Sequence, residues 1–429
     1  MGAKRRKRRK TIRPEILLKP LLVIISMLMV ISLIRTAISE YCISGSSEIK
    51  EEDILLASRI TDEDARYHYL LGLLYHDSRD KGDTGKAIKS YHLSLERNPT
   101  NARAWLAIAR AYRDSGMKEE AKYAIRKALS MDRNSPGLIW EAGVLYLIED
   151  NPVEATGLFK KYLYMIPDEQ ENVYSLYYMM RVDPTYILDN LIFRDYIFYK
   201  RYLNFLMTHN LLNESFEVWK RIRYFNPERS EYLNYCDFLI KTGEIKGALA
   251  LWDEFINKFG VLGNNKSSPE AIWNGDFELA IENGGFDWKI GKADGLRIFM
   301  DRIVKRTGYK SLSADFDGRH NPGVYLAWQV VAVEPGKSYK VKGFIKTENI
   351  TTKNGIFLEV AGFKCDTFVK RAESVTGTNL WKKIELEFTV PESCRAAKIG
   401  IGRERSEKFD NKIAGDVWID SISMTPINK

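Results

Sequence analysis

Residues 102–135 and 136–169 share one 34-residue register, and no other feature of the chain limits its fold as much. In the first copy Trp105, Ala109, Tyr112, Gly116, Ala121, Ile125 and Ala128 fall at places four, eight, eleven, fifteen, twenty, twenty-four and twenty-seven. In the second, Gly143, Tyr146, Ala155, Phe159 and Pro167 fall at places eight, eleven, twenty, twenty-four and thirty-two. Residues 64–101 carry Gly72, Tyr75, Ala87, Tyr91 and Pro99, with three extra residues around Asp77–Asp83. Ser215, Trp219, Ile222 and Pro227 end a fourth copy, and Gly243, Ala248 and Trp252 mark a fifth over 229–262. The spacing predicts two antiparallel helices per copy. Small residues at places eight and twenty let them approach, and large ones fill the remaining space. One such pair cannot bury its apolar face alone, so neighbours must stack.

This pattern resembles the tetratricopeptide repeat. The resemblance implies a superhelix whose concave groove takes a peptide or protein partner. Residues 170–197 keep helical composition but place Val173, Tyr177 and Met180 where Trp, Gly and Tyr belong, which predicts a degenerate pair. Their aromatics (Tyr174, Tyr177, Tyr178, Tyr186) offer a sugar-stacking surface or, as the preferred reading, packing between helices.

Beyond Gly260 the period changes. Residues 263–270 form a polar, turn-rich linker, after which apolar residues alternate. Ile384, Leu386, Phe388 and Val390 alternate with Lys383, Glu385, Glu387 and Thr389, and Glu334–Lys337 makes a turn between two similar runs. About ten short runs predict an all-β jelly-roll sandwich over 271–427. The order of Asn274–Glu278, Phe286–Trp288, Gly308–Leu312, Val333–Gly336, Trp381 and Trp418–Ile422 resembles carbohydrate-binding modules of the family 4/9 type, with a galactose-binding-like fold.

That resemblance implies a structural calcium tying the first strand to the last, with Glu278 and Asp420 as carboxylate ligands. On a regular strand Asp420 would share a face with Trp418, Ile422 and Met424, where an unpaired carboxylate is costly. Calcium, an arginine partner or a solvent-facing side would each resolve the conflict. The resemblance also implies a glycan ligand, which aromatic rings would stack against. Trp288 and Trp381 match core-like places of the family, leaving Tyr325 and Trp328, which regular alternation puts on opposite faces. Arg403 and Arg405 continue the face of Ile399 and Ile401. They would border a groove suited to an acidic glycan, or mark the strand's exit into solvent.

The N-terminus supplies the address. Nine of the first twenty residues are basic and one is acidic, so this segment carries the whole net charge of +8 and leaves the rest balanced. The charge therefore does not signal nucleic acid. An uncharged run, Leu21–Ile34, follows, and residues 16–38 suffice to span a bilayer if Lys19 and Arg35 snorkel. The preferred reading is a signal anchor with a cytoplasmic tail (1–15), a lead-in segment (39–61) and the remainder extracytoplasmic in a single-pass membrane protein. Cleavage after Ser39, at Ala37-Ile38-Ser39, and a nucleic-acid patch are the alternatives. Cys365 and Cys394 would pair in an oxidising compartment or stay as two buried thiols.

No catalytic residues stand out: the five histidines are scattered, and no phosphate loop or nucleophile elbow is present. The expected architecture is multidomain, with a transmembrane helix, an α-solenoid over 62–262 and a jelly roll. The expected function is an adaptor in polysaccharide or envelope assembly that joins a protein partner to a glycan. A polysaccharide-active enzyme and a purely structural protein are the rivals.

Overall fold

The computed structural model describes residues 14–44, 51–61, 63–77, 83–260, 272–365, 368–409 and 411–427. The charged tail up to Arg13, the extra turn residues 78–82 and the expected linker 263–270 lie outside them. Fourteen helices precede ten strands among the described residues, and the chain divides into two compact units, Met1–Tyr202 and Leu203–Lys429.

In the first unit, α1 (Pro14–Ser44) is a single helix, followed by α2 (Glu51–Ile60). Ile24–Tyr41 is, among the described residues, the one window long and apolar enough to cross a membrane. Its side chains, Met27, Leu28 and Leu33 among them, are exposed. Ser39, by contrast, is fully buried, with Oγ 2.8 Å from Thr61 Oγ1.

Three helix pairs follow: α3 (Ala65–Asp77) with α4 (Thr84–Arg97), α5 (Ala102–Asp114) with α6 (Lys118–Met131), and α7 (Pro136–Ile148) with α8 (Pro152–Met165). The small residue at place eight meets the large one at place twenty-four. A Cβ on Gly72 would stand 2.3 Å from the Tyr91 ring, and one on Gly143 would stand 2.9 Å from Phe159. Ala109, Ala121 and Ala128 are likewise buried. The Asn101 side chain caps α5 by accepting from the Arg103 and Ala104 amides. The degenerate stretch forms α9 (Gln170–Met179) and α10 (Pro184–Tyr186), which runs into a π turn at Ile187–Leu191. Two of its aromatics, Tyr174 and Tyr177, pack inward, the Tyr177 hydroxyl 2.8 Å from Thr156 Oγ1, whereas Tyr178 is exposed.

The boundary between the units falls within α11 (Tyr196–Thr208), and the second unit continues with α12 (Leu212–Ile222), α13 (Arg229–Thr242) and α14 (Ile245–Phe259). The sandwich has ten strands: β1 (Lys289–Ile290), β2 (Leu296–Asp301), β3 (Ser311–Asp317), β4 (Val324–Ala332), β5 (Ser338–Ile350), β6 (Phe357–Gly362), β7 (Val369–Arg371), β8 (Gly377–Thr389), β9 (Ala396–Arg403) and β10 (Ala414–Pro426). Sheet A runs β1-β4-β9-β6-β7 and sheet B runs β2-β3-β10-β5-β8, all antiparallel. The Glu334–Lys337 turn passes from one sheet to the other, so alternation on both sides feeds one core that includes Trp288, Val331, Tyr339, Ile399, Ile401, Val417 and Ile419. Cys365 and Cys394 are disulfide-bonded, closing a separation of 29 residues between the loop after β6 and the start of β9.

Within the second unit the sandwich is docked on α13 and α14. Trp252 packs edge-on against Trp273 and Phe286, with ring centres 5.6 and 6.2 Å away. Asp237 accepts from the Gly285 amide at 3.0 Å and pairs with Lys289 at 3.1 Å, and Arg229 pairs with Glu282. Gly285 has φ +58°, and a Cβ there would lie 2.5 Å from Trp252, so a side chain at this position would push the two apart. The adjoining Asp287 is fully buried and accepts from the amides of Glu282 and Trp288 at 2.6 and 2.7 Å. Burial, with the neighbouring Glu282 charge, pushes its carboxyl up to about 7 against the pull of those amides.

Candidate functional site: the outer face of sheet A

Regular alternation separates Tyr325 from Trp328, but the sheet unites them. The β4–β9 register shifts between Tyr325 and Ala327, where Leu326 is the extra residue of a bulge. Leu326 and Ala327 both reach the core, and the rings on either side emerge together on the outer face. The expectation of opposite faces is thus corrected.

Strand register then lays out the platform. Lys289, Trp328, Gly400, Glu359 and Arg371 form one row across β1, β4, β9, β6 and β7, and Tyr325, Gly402 and Phe357 form the next. Gly400 and Gly402 are the floor: a Cβ on Gly400 would stand 2.5 Å from Tyr325 Cδ1, and one on Gly402 would stand 3.1 Å from it. Over the floor the Lys398 ammonium sits 3.5 Å from the Tyr325 ring centre and 5.1 Å from that of Trp328. Burial lowers its pKa. The Lys289 ammonium stands 5.0 Å from the Trp328 ring centre. The Tyr325 hydroxyl donates to Glu359, which also accepts from the Arg371 fork, and Arg371 reaches Glu404 at 2.7 Å. Burial, reinforced by that Glu359 contact, raises the Tyr325 phenol to about 12.

The other expected residues lie elsewhere. Arg403 is 1 % exposed on the core side of β9 and does not border a groove. Its guanidinium donates to the carbonyls of Asn354, Pro322 and Asn411 and to Asn321 Oδ1, at 3.2, 2.6, 3.1 and 2.9 Å. It therefore ties three loops together. Arg405 is exposed on the loop after β9, where its Nε donates to the Asn321 carbonyl at 3.3 Å. Trp288 is core, its indole donating to the Asn274 carbonyl, whereas Trp381 is half-buried on the edge strand β8 and is not core. Lys398, Glu359, Phe357 and Arg371 escaped the sequence reading. The alternation Ile399-Gly400-Ile401-Gly402 was the available signal, since glycine on every second residue leaves one strand face bare.

The Glu278 and Asp420 carboxylates are each engaged by backbone amides. Asp420 Oδ2 accepts from the amides of Arg306 and Thr307 at 2.8 and 3.1 Å, and Oδ1 accepts from Ser421 Oγ at 3.1 Å. Glu278 Oε1 accepts from the amides of Tyr309 and Lys310 at 2.7 and 3.2 Å. One loop, 306–310, thus turns four N–H groups toward two carboxylates, and their positive dipole ends suit anions. A Cβ on Gly308 would lie 2.1 Å from Glu278 Oε1, so the wrap needs glycine there. The apolar-face conflict at Asp420 disappears as well. A register shift between Asp420 and Ser423, with Ser421 at φ +58°, sends Val417, Ile419, Ile422 and Met424 all to the core and leaves Asp420 outside it. Among the described residues no group of three or more His, Cys, Asp or Glu side chains could hold a metal ion.

A second concavity, of about 580 Å³, lies in the first unit between repeats. Tyr69, Arg103, Leu106, Arg110, Leu138 and Glu141 are among its lining residues, and Arg110 Nε stands 3.3 Å from Glu141 Oε1. Its mixed lining offers hydrogen-bond donors and acceptors beside two leucines.

The family model described as tetratricopeptide repeat matches residues 102–135. No curated protein matches the chain in sequence. Among solved structures, the enzymatically active domain of bacteriophage CBA120 tailspike protein 4 is similar at 16% identity, covering 37% of this chain and 22% of that one, with a TM-score of 0.28. The chain thus spans about a fifth of that tailspike domain. A CBM4 structure is similar at 16% identity over 36% of this chain and 99% of its own, with a TM-score of 0.28. The crystal structure of MamA is similar at 22% identity over 26% of this chain and 64% of its own, with a TM-score of 0.23. The chain thus carries a tetratricopeptide-repeat match over residues 102–135 within its helical region, followed by a two-sheet antiparallel β-sandwich.

Proposed function

We propose that this chain is a membrane-anchored extracytoplasmic adaptor in polysaccharide or envelope assembly, holding a protein partner in the repeat groove and a glycan on the outer face of sheet A. The observation that carries the glycan half is the bulge at Leu326, which sets Trp328 and Tyr325 over a glycine floor beside polar groups. A half-exposed indole offers a flat apolar surface to a sugar ring, and long polar side chains around it reach hydroxyls. The protein half rests on the repeat itself and its groove of about 580 Å³.

The anchor is supported by the apolar window Ile24–Tyr41 and by a helix that runs unbroken through Ala37–Ser39, with Ser39 buried against Thr61. The disulfide fits an oxidising compartment. Binding is favoured over chemistry because the two carboxylates at the platform, Glu359 and Glu404, share one guanidinium. No calcium is needed in this reading.

A glycan array probed with the full-length protein in detergent, with and without EDTA, tests it. Expected is binding that Trp328→Ala removes and EDTA leaves intact. Release of shortened products would favour the enzyme, and silence on every glycan the structural protein. A reporter fused after Lys429 should be active only outside the cytoplasm, and cytoplasmic activity would overturn the orientation.

A further inference from the structure

We infer that the ligand of the sheet A face is an acidic saccharide, whose uronate-type carboxylate pairs with the Lys398 ammonium. This rests on the proposed glycan reading and narrows it. Of the charged groups around the platform, Lys289 is held by Asp237 and by the Gly285 carbonyl at 2.9 Å, and Glu404 and Glu359 are held by Arg371. Glu359 also receives the Tyr325 hydroxyl. Among the described residues Lys398 has only the two rings, and its nearest acidic influence, Glu359, is already paired.

A half-buried ammonium without a counter-ion has given up hydration for two ring faces, which return only part of what was lost. A carboxylate arriving beside Trp328 would restore the balance in a place poor in water, where a charge-assisted hydrogen bond is stronger than on an open surface. A neutral sugar cannot do this and leaves the charge partly desolvated, so the arrangement selects for acid as well as tolerating it. The Lys398 ammonium lies 3.5 Å from the Tyr325 ring centre and 5.1 Å from that of Trp328, so Tyr325 positions the charge and the more distant Trp328 ring is assigned to the sugar.

The test is calorimetric titration of the full-length protein in detergent at neutral pH and low salt. The probes are three acidic oligosaccharides (oligogalacturonate, oligomannuronate and a glucuronate-bearing xylo-oligosaccharide), each paired with its carboxyl-reduced counterpart. At least one acidic probe should bind tenfold or more tighter than its reduced form, as about 1.4 kcal/mol or more from a charge-assisted bond requires, and this preference should shrink with added salt. Lys398→Met should bring the ratio near one while neutral binding persists, Lys398→Arg should keep it, and Trp328→Ala should weaken both members of a pair alike. Unchanged melting of the Lys398 variants guards against misfolding. Equal binding of acidic and reduced probes, or a preference that survives Lys398→Met, overturns the inference and leaves the glycan reading standing. No binding of any probe, acidic or neutral, overturns both.

Discussion

Sheets A and B bury like faces and fix their connections by unlike means. Around sheet A the fixings are a covalent bond between Cys365 and Cys394 and a buried arginine, Arg403, that holds carbonyls from three loops. Around sheet B they are two carboxylates, Glu278 and Asp420, that hold the amides of one loop. The outer faces differ in step. On sheet B the loop covers the surface: Arg306 lies 3.4 Å over the Phe344 ring, and Trp418 is 7 % exposed with its indole donating to Asp301 at 2.8 Å. On sheet A the fixings sit at the strand ends and below the sheet, so its rings stay half-exposed. An aromatic residue on a strand is not by itself a binding surface; what the adjoining loops do decides.

The largest effect expected is on pH dependence at the rim of sheet A. Asp287 is raised to about 7 in the folded state, above its ordinary 3.8, so the folded protein binds the extra proton between about pH 4 and 7. Stability from this group is therefore present at low pH and lost as pH rises through 7. At about 1.4 kcal/mol per pKa unit the loss is on the order of 4 kcal/mol. Melting curves of wild type and Asp287→Asn should meet near pH 4 and diverge toward pH 8, with the wild type the less stable. Parallel curves would remove Asp287 from the account.

Breaking the covalent fixing comes next. Replacing Cys365 and Cys394 by serine frees the intervening chain and should cost about 3–4 kcal/mol. Denaturant unfolding of the double variant, compared with wild type with and without reductant, measures it. A wild type indifferent to reductant would mean that the bond is absent in solution.

On sheet B, Asp420→Ala strands two loop amides and should cost about 2–3 kcal/mol, whereas EDTA should not move the wild-type melt. A drop in melting temperature with EDTA, restored by calcium, would reinstate the cation and dissolve the contrast between the sheets. The smallest effect is Gly400→Ala, which pushes the Tyr325 ring off its floor at a stability cost of about 1 kcal/mol. Its clearer readout is the proposed preference for acidic glycans, which should weaken because the Lys398 perch shifts; an unaltered preference would show that the ring does not place the charge.

Much of this was legible in the residue order. The register of small and large residues announced the helix pairs, since the Gly72–Tyr91 and Gly143–Phe159 contacts follow from spacing alone. The switch to a period of two announced the sandwich, because Ile384, Leu386 and Phe388 need one buried side. What escaped was whatever depends on one extra residue or on a distant partner. The bulges at Leu326 and around Ser421 exchange strand faces without altering composition. Arg403 looks like a surface cation until carbonyls from residues 322, 354 and 411 converge on it. Lys398 carries no motif; its significance lies in what does not stand next to it.

The docking of the sandwich on α13 and α14 has a practical corollary for anyone dividing this molecule. The polar stretch after Gly260 invites a cut, but a fragment starting there would leave Trp273 and Phe286 facing water where Trp252 had been and would strip Lys289 of Asp237. Lys289 neighbours Trp328, so the damage would reach the platform itself. The smallest piece that keeps the outer face of sheet A in its native surroundings begins before Arg229, and binding assays on shorter pieces would report on a surface the intact protein does not have.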